Sequence, residues 1–202
     1  MMSLFAHTSF RGIERSEPAP GMLLISAPDM NSDDFRRSVV VLIDHGQQGT
    51  FGVVINDISE QAVANVLPEW ALCMAKPQAV FIGGPLFPEN ALVLGVAKPE
   101  VDIDAAPYLN RLANRIVHVD MRADPTALVH ELEGARFFVG WAEWAPGQLE
   151  HEIECGDWFV APCLPGDIIA PGKVDVWADA LKRQPMPMPL LSTHPGYDQE
   201  EN

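Results

Sequence analysis

Residues 140–153 read Gly-Trp-Ala-Glu-Trp-Ala-Pro-Gly-Gln-Leu-Glu-His-Glu-Ile, and we interpret the rest of the chain outward from them. The apolar run at 136–139 predicts a buried strand just before this stretch. The Pro146-Gly147 pair then predicts a turn, and an acidic helix follows it. Trp141 and Trp144 therefore stand at a strand–turn–helix corner, where large aromatic side chains serve either the architecture or the wall of a pocket.

The composition is that of one domain with a core of its own. The chain has 202 residues, of which 48% are hydrophobic and 20% are charged. No apolar run approaches the roughly 20 residues that cross a bilayer. The first ten residues lack the basic start and the small-residue cleavage site of a secretory signal. We therefore expect a cytoplasmic protein with no membrane segment.

The charge balance disfavours direct binding to nucleic acids. Thirteen Lys and Arg stand against 28 Asp and Glu, which gives a formal net charge of −15. A protein that neutralises phosphates needs clustered cations. The densest basic sites here are the pairs Arg36-Arg37 and Lys182-Arg183, so we expect a protein or a small molecule as the partner.

The cysteines and histidines predict neither a metal nor a cofactor. Cys73, Cys155 and Cys163 are odd in number and lack the Cys-x-x-Cys spacing, which is typical of free thiols in a reducing compartment. His151 and Cys155 have the i,i+4 spacing that holds zinc on a helix. The sequence places no third ligand beside them, so an exposed histidine on an acidic helix is the favoured interpretation.

The order of elements predicts an α+β fold. Two β-rich runs joined by the Gly46–Gly49 turn predict an antiparallel hairpin, in which Gly52 marks a bulge or a close backbone approach. Helices are inserted singly, without βαβ alternation, which favours one domain with a large, mostly antiparallel sheet able to curl toward a barrel. The predicted strands are residues 22–27, 38–43, 50–55, 79–82, 91–96, 115–119, 136–139 and 158–160.

Capping residues and apolar spacing locate the helices. Asp124 and Pro125 predict a helix start, with Gly134 as its stop. Ser59 is the expected N-cap of a helix over residues 60–67. Further helical segments are predicted at 108–112, 148–155 and 174–181.

Domain boundaries follow from composition. Residues 1–20 are expected to be a flexible extension, because a Pro-Ala-Pro-Gly cluster closes them. Residues 21–183 are expected to be the folded domain. Residues 184–202 are Pro-Met-rich and then acidic, so we expect a disordered tail.

Four blocks of this sequence resemble the YqgE/AlgH family of bacterial proteins. In chain order they are residues 21–28 with Phe35-Arg36-Arg37-Ser38-Val39-Val40, His45 followed by 49–56, Gly83-Gly84-Pro85, and Gly140-Trp141 with 146–150. The resemblance implies a single α+β domain with no established enzymatic activity. Some members are labelled transcriptional regulators after one genetic phenotype. This chain departs from the pattern at Asp57-Ile58, where many members have Arg-Pro, and at Glu143 and Trp144, which replace smaller residues.

The candidate binding surface combines the corner with two loop regions. Arg36 and Arg37 can hold an anion or pair with nearby acids. The Gly83-Gly84 turn can form a backbone anion site or a plain tight turn. No catalytic residue is assigned. The surface comprises Phe35, Arg36, Arg37, Ser38, Asn56, Gly83, Gly84, Pro85, Trp141, Trp144 and Gln148.

The leading functional hypothesis is a binding or regulatory domain without catalysis of its own. It rests on the resemblance and on the lack of any catalytic set that the sequence assembles. The first alternative is an enzyme, a hydrolase or transferase, with a pocket near Arg36, Gly83-Gly84 and Trp141. The second alternative is a transcriptional regulator.

Overall fold

The apolar runs of the sequence form one large sheet in the computed structural model, which describes residues 16–30 and 32–194. Its strands are β1 (Met22–Ser26), β2 (Val39–Gly46), β3 (Gly49–Val54), β4 (Ile58–Ala62), β5 (Ala79–Ile82), β6 (Leu86–Ala97), β7 (Leu109–Ala113), β8 (Ile116–Val119), β9 (Leu132–Trp144) and β10 (Trp158–Pro162).

The helices are short and lie between strands or near the end of the chain. They are α1 (Val63–Val66), α2 (Pro125–Glu131), α3 (Gln148–Cys155), α4 (Pro165–Ile168), α5 (Val176–Lys182) and α6 (Met188–Leu191). None of the helices in the described residues is long and apolar enough to cross a membrane.

The strand order confirms the predicted α+β fold. Along the sheet the order is β10-β1-β2-β3-β9-β6-β8-β7, with every neighbouring pair antiparallel. β5 pairs with β9 in the parallel sense, and β4 pairs with β5. The predicted hairpin is β2–β3, and its register shifts beside Gly52, where an added Cβ would lie 2.7 Å from the Val41 carbonyl oxygen.

Strand β9 is the centre of the fold, because it pairs with β3, β5 and β6. The predicted turn at Pro146-Gly147 is confirmed, but the strand before it is longer than the predicted range 136–139, because it runs on to Trp144. Gly140 has a φ of 69°, a left-handed conformation that glycine adopts without strain. The strand therefore passes both tryptophans before it ends.

The sheet is curled, and its two surfaces bury three clusters. The inner cluster joins Ile25 of β1 to Ile116 of β8, near opposite ends of the strand order, and α5 adds Trp177 to it. One outer cluster lies under α3, whose Leu149 and Ile153 are buried as predicted. The other lies beneath α2 and beside α1. Burial of this apolar area is the main stabilising contribution.

One helical prediction is wrong and another is only partly confirmed, because tertiary pairing outweighs local signals. Within the predicted helix 60–67, residues 63–66 form α1, but residues 60–62 belong to β4. Ser59 does not cap a helix: it lies in β4 and donates its hydroxyl to the Val80 carbonyl of β5 at 2.8 Å. Residues 109–113 pair with β8 instead of forming a helical turn.

The predicted helix stop at Gly134 also differs from the structure. Helix α2 begins as predicted, with the Asp124 side chain accepting a hydrogen bond from the Thr126 amide, but it ends at Glu131. Gly134 lies inside β9, where an added Cβ would come within 3.0 Å of Ala75.

Part of the expected C-terminal tail is folded onto the domain. Residues 188–191 form α6, and Met188 is buried in the inner cluster. The Arg37 guanidinium donates to the His194 carbonyl at 2.7 Å. Residues 16–20 contain neither helix nor strand. The rest of both predicted extensions, residues 1–15 and 195–202, lies outside the described residues.

Candidate functional site

Arg37 and Asn56 form a brace between loops. The Asn56 side chain accepts from the Val39 amide and donates to the Arg37 carbonyl, both at 2.8 Å. This holds Arg37 at a φ of 52°, which is uncommon for a residue with a Cβ. The Arg37 guanidinium pairs with Asp175 at 2.5 Å and lies 4.1 Å from the Trp177 ring centroid. Arg37 therefore holds the C-terminal segment in place.

Arg36 and Ser38 point away from that brace. Arg36 donates to the exposed Asp33 carboxylate at 3.0 Å, three residues earlier. Ser38 is buried, and its carbonyl accepts from the Ser26 amide at 3.0 Å. The two adjacent arginines thus serve different contacts.

Gly83, Gly84 and Pro85 allow one backbone segment to lie directly on another. The Gly83 amide donates to the Val139 carbonyl at 2.8 Å, and its own carbonyl accepts from Val54. An added Cβ on Gly83 would lie 2.3 Å from the Gly140 carbonyl oxygen. One on Gly84 would lie 2.3 Å from the Trp141 carbonyl carbon. Glycine is required here for packing against β9. The Gly83 amide donates to β9 and is therefore not available to an anion.

Trp144 belongs to a closed network centred on Glu152. The indole N–H groups of Trp144 and Trp158 both donate to Glu152 Oε2 at 2.9 Å. Gln148 donates to Glu152 Oε1 at 2.9 Å and accepts from the Ala145 amide. The Phe35 ring packs on both tryptophans, at 6.2 and 5.5 Å between centroids. We call Phe35, Trp144, Gln148, Glu152 and Trp158 the Glu152 network; its polar groups satisfy one another.

Trp141 belongs to a partly exposed group on the inner surface of the sheet, beside the inner cluster. Its ring lies 5.4 Å from Phe51 and 5.1 Å from Phe87, and its strand partner is Leu86. Leu86 and Phe87 are 40% and 44% exposed. We call Phe51, Leu86, Phe87 and Trp141 the aromatic ledge.

A loop within β6 presents Phe87 on this ledge. Leu86 pairs with Trp141 and Ala91 pairs with Val139, so residues 87–90 stand opposite Gly140 alone. Phe87 has a φ of 52°, a strained conformation for a bulky side chain. The sequence prediction began this strand at residue 91 and missed the loop; the Phe87-Pro88 pair was its only local sign.

The structure thus divides the predicted surface into three groups. Arg37 and Asn56 brace loops, Phe35, Trp144 and Gln148 fill the Glu152 network, and Gly83, Gly84 and Pro85 lie against the strand that carries Trp141. Trp141 and Trp144 pack into different clusters. They do not form the single tryptophan corner that the sequence suggested.

Arg136 is a buried cation that the sequence analysis treated only as the start of a strand. It is 2% exposed, and its guanidinium lies 4.5 Å from the Phe81 centroid. Burial lowers the pKa of Arg136 to about 10, so it is protonated at neutral pH. All five of its N–H groups are used; they donate to the backbone carbonyls of Ala75, Lys76, Pro77, Ile168 and Ala170. An arginine within an apolar run was the available signal.

A small cleft beside Arg136 is poorly suited to a ligand. Its cavity volume is only about 20 Å³, little more than one water molecule needs, and Asn56 and Asp167 also line it. Typical ligand sites hold about 300–1,000 Å³. Asp167 is occupied by two 2.8 Å bonds from Arg183. The polar groups of this cleft therefore stabilise loops.

His45 and Thr50 are one pair that resembles a catalytic base beside a nucleophile. His45 Nδ1 lies 2.7 Å from the Thr50 hydroxyl, and His45 Nε2 lies 3.7 Å from Glu150. Thr50 is 6% exposed and pairs with both β2 and β9. A hydroxyl enclosed in mid-sheet is poorly placed to attack a substrate.

The three cysteines are free thiols. His151 and Cys155 approach to 3.6 Å on α3. Among residues 16–30 and 32–194, no three His, Cys, Asp or Glu side chains are grouped to hold a metal. Burial raises the pKa of the Cys73 and Cys163 thiols, which keeps both protonated and weakly nucleophilic.

Comparisons with known proteins identify the relatives of this chain. A family model described as AlgH-like matches residues 23–189. A UPF0301 protein of Corynebacterium efficiens is 56% identical over 195 residues, covering 96% of this chain and 97% of the relative. One of Corynebacterium glutamicum is 60% identical over 183 residues, covering 91% and 97%.

Two solved structures have the same fold. The crystal structure of protein DIP2367 from Corynebacterium diphtheriae has a TM-score of 0.91 and 54% identity, over 94% of this chain and 100% of the other. The solution structure of the AlgH protein from Pseudomonas aeruginosa has a TM-score of 0.63 and 23% identity, over 92% and 100%. The second likeness concerns the fold alone.

Proposed function

This chain belongs to the AlgH-like family, and we propose that it is a binding domain that acts through a protein partner, docked on the aromatic ledge, without a reaction of its own. The observation that carries the proposal is Phe87, an aromatic side chain that is 44% exposed and held at positive φ against Trp141. Backbone strain of this kind costs about 1–3 kcal/mol, and such strain clusters at functional positions.

The shape of the ledge supports a protein rather than a small molecule. Leu86 and Phe87 project from a loop, and Phe51 and Trp141 lie half-buried beside them. Small ligands favour concave sites that enclose most of their surface. Protein interfaces are enriched in exposed aromatic anchors such as Trp and Phe.

The contacts of the other predicted residues support the same assignment. Arg37, Asn56, Trp144 and Gln148 each bind another part of the same chain. Their polar atoms stabilise loops and the helix α3. Trp141, which forms part of the ledge, is therefore the predicted side chain best placed to bind a partner.

The remaining alternatives make distinct predictions. An enzyme would lose turnover of a substrate on substitution of Thr50 or Trp141. A transcriptional regulator that contacts DNA would bind promoter fragments with an affinity that falls steeply with salt. A cytoplasmic location is part of our proposal, and it is supported by three cysteines that are all free.

Site-specific crosslinking tests the proposal. The photoreactive amino acid p-benzoylphenylalanine replaces Phe87 in one sample and Tyr108 in a matched control. Tyr108 is 41% exposed and lies next to β7. Each protein is irradiated in a lysate of Corynebacterium glutamicum. We expect a discrete adduct from position 87 that disappears when Trp141→Ala is added, and none from position 108.

Equal labelling from positions 87 and 108 would show that contact with the ledge is non-specific. An adduct that survives Trp141→Ala would mean that the ledge is not the docking surface. Either result would refute the proposed function.

A further inference from the structure

We infer that the aromatic ledge takes a basic segment of its partner, in which an apolar anchor is flanked by Lys or Arg. This inference rests on the proposed function and adds the chemistry of the partner. Its support comes from the charges that surround the ledge and from the register of the strands that carry it.

The parts of the chain that build the ledge contain no Lys or Arg. Residues 38–75, 77–97 and 137–172 have no Lys or Arg, although the chain has 13 in total. These ranges include all four ledge residues, the β6 loop and helix α3. Their charged residues are Asp44, Asp57, Glu60, Glu69, Glu89, Glu143, Glu150, Glu152, Glu154, Asp157 and Asp167. Every Asp, Glu, Lys or Arg position on these segments is therefore acidic, which favours an approaching cation.

Strand register places two carboxylates beside the aromatic rings. Phe51 pairs with Asp44 on β2 and with Glu143 on β9. Residues directly opposite in a sheet share one surface, so both acids flank the Phe51 ring. The Trp141 indole N–H donates to Glu143 Oε1 at 2.7 Å, which fixes that carboxylate at the edge of the ledge.

A cation has two favourable contacts at this site. Glu143 and Asp44 are exposed and can accept charge-assisted hydrogen bonds from Lys or Arg. The faces of Trp141 and Phe87 attract the same groups through cation–π interaction. Glu89 follows Phe87 by two residues in the same exposed loop and adds to the negative field.

Other occupants fit this surface less well. A second copy of the chain would bring another net charge of −15 to an acidic surface. Nucleic acid is repelled for the same reason. An apolar partner segment with positive charges gains both burial of the rings and electrostatic attraction.

Peptide binding to the full chain tests the inference. Three fluorescein-labelled peptides share one set of Trp and Leu residues and differ at the other positions, which are Lys and Arg, Gln, or Glu. Fluorescence anisotropy gives each Kd. We expect the basic peptide to bind at least about tenfold more tightly than the neutral one, and the acidic one to bind weakest.

Substitutions at the ledge test whether the preference for the basic peptide arises there. Phe87→Ser should raise the Kd for the basic peptide by about tenfold or more, whereas the control Tyr108→Ser should leave this Kd unchanged. The double variant Asp44→Asn, Glu143→Gln should remove the preference for the basic peptide and retain the apolar contribution. Glutamine at position 143 keeps an acceptor for the Trp141 indole. Unfolding midpoints of all variants confirm that each one is folded.

The outcomes separate this inference from the proposed function. If basic and neutral peptides bind equally, and both need Phe87, the charge inference is overturned and the docking surface stands. If Phe87→Ser leaves the Kd for the basic peptide unchanged, the binding is non-specific attraction to an acidic protein, which also overturns the inference. Self-association of the chain that Phe87→Ser abolishes would make the occupant a second copy. An absent crosslink from position 87 refutes the proposed function itself.

Discussion

Trp141 and Trp144 lie three residues apart on β9, yet they have different surroundings. Trp144 is 4% exposed, with its indole N–H on the Glu152 carboxylate and Phe35 and Trp158 against its ring. Trp141 is half-buried, with its N–H on the exposed Glu143 and Phe87 as an outer neighbour. Helix α3 covers Trp144, whereas Trp141 lies at the margin of the inner cluster with Phe87 beside it. The difference shows that what packs over a strand decides whether an aromatic residue stabilises the fold or remains available to a partner.

The largest effect should come from Trp144→Ala. Removal of a buried Trp side chain leaves a cavity and should lower the free energy of unfolding by about 3–5 kcal/mol. Urea denaturation monitored by circular dichroism measures it. Trp144→Phe keeps most of the ring and should cost clearly less. A loss for Trp144→Ala no greater than that for Trp141→Ala would contradict the comparison.

A smaller loss is expected for Glu152→Gln. The carboxylate accepts two indole N–H groups on one oxygen and the Gln148 amide on the other. An amide oxygen directed at the indoles still accepts both N–H groups, but these two hydrogen bonds lose their charge assistance. The new NH2 group then faces the exposed Gln148 donor, and together these changes should cost about 1–3 kcal/mol. The same denaturation assay applies. Glu154→Gln, at an exposed position of the same helix, should have almost no effect; equal losses would show that the network is unimportant for stability.

Trp141→Ala should lower the free energy of unfolding by only about 1–2 kcal/mol, because the ring is half-buried and its removal leaves no closed cavity. Its main effect should be on binding: the crosslink from position 87 should vanish. The unfolding free energy and the crosslink yield are measured on the same preparation. A large stability loss with an unchanged crosslink would reverse the roles assigned to the two tryptophans.

The smallest effect on stability should come from Phe87→Gly, within about 1 kcal/mol of the wild type. Glycine relieves the positive φ, and this offsets the lost contact with Trp141. Phe87→Val retains the strain, since a β-branched residue fits this conformation poorly, and it should be less stable than the glycine variant. If valine and glycine prove equally stable, Phe87 is not strained.

Local chemistry in the sequence predicted the elements whose signals are self-contained. The β2–β3 hairpin follows from two β-branched runs around Gly46 and Gly49. Helix α3 agrees with its predicted range, and Gly156 ends it at a φ of 92°. The start of α2 follows from Asp124 and Pro125, because capping needs only neighbouring residues.

The predictions that were wrong concern elements whose partners are distant in sequence. Ser59 is a residue type that caps helices, but here β4 pairs with β5 and the Ser59 hydroxyl donates to the Val80 carbonyl. Residues 108–112 have no clear strand pattern, yet β8 offers them an unpaired edge. Backbone groups that would otherwise be buried without a partner pair with whatever edge is available.

The sequence by itself determined the α+β class, the antiparallel sheet, the family and the acidic character of this protein. Those properties follow from apolar periodicity, turn residues and charge counts, which are local or additive. Only the tertiary structure decided which candidate residues are free to bind. Arg37, Asn56 and Trp144 became internal supports, while Phe87, absent from the sequence-based candidates, became the most exposed part of the ledge. The reason is physical: exposure depends on what packs above each side chain, and that packing joins residues far apart in the chain.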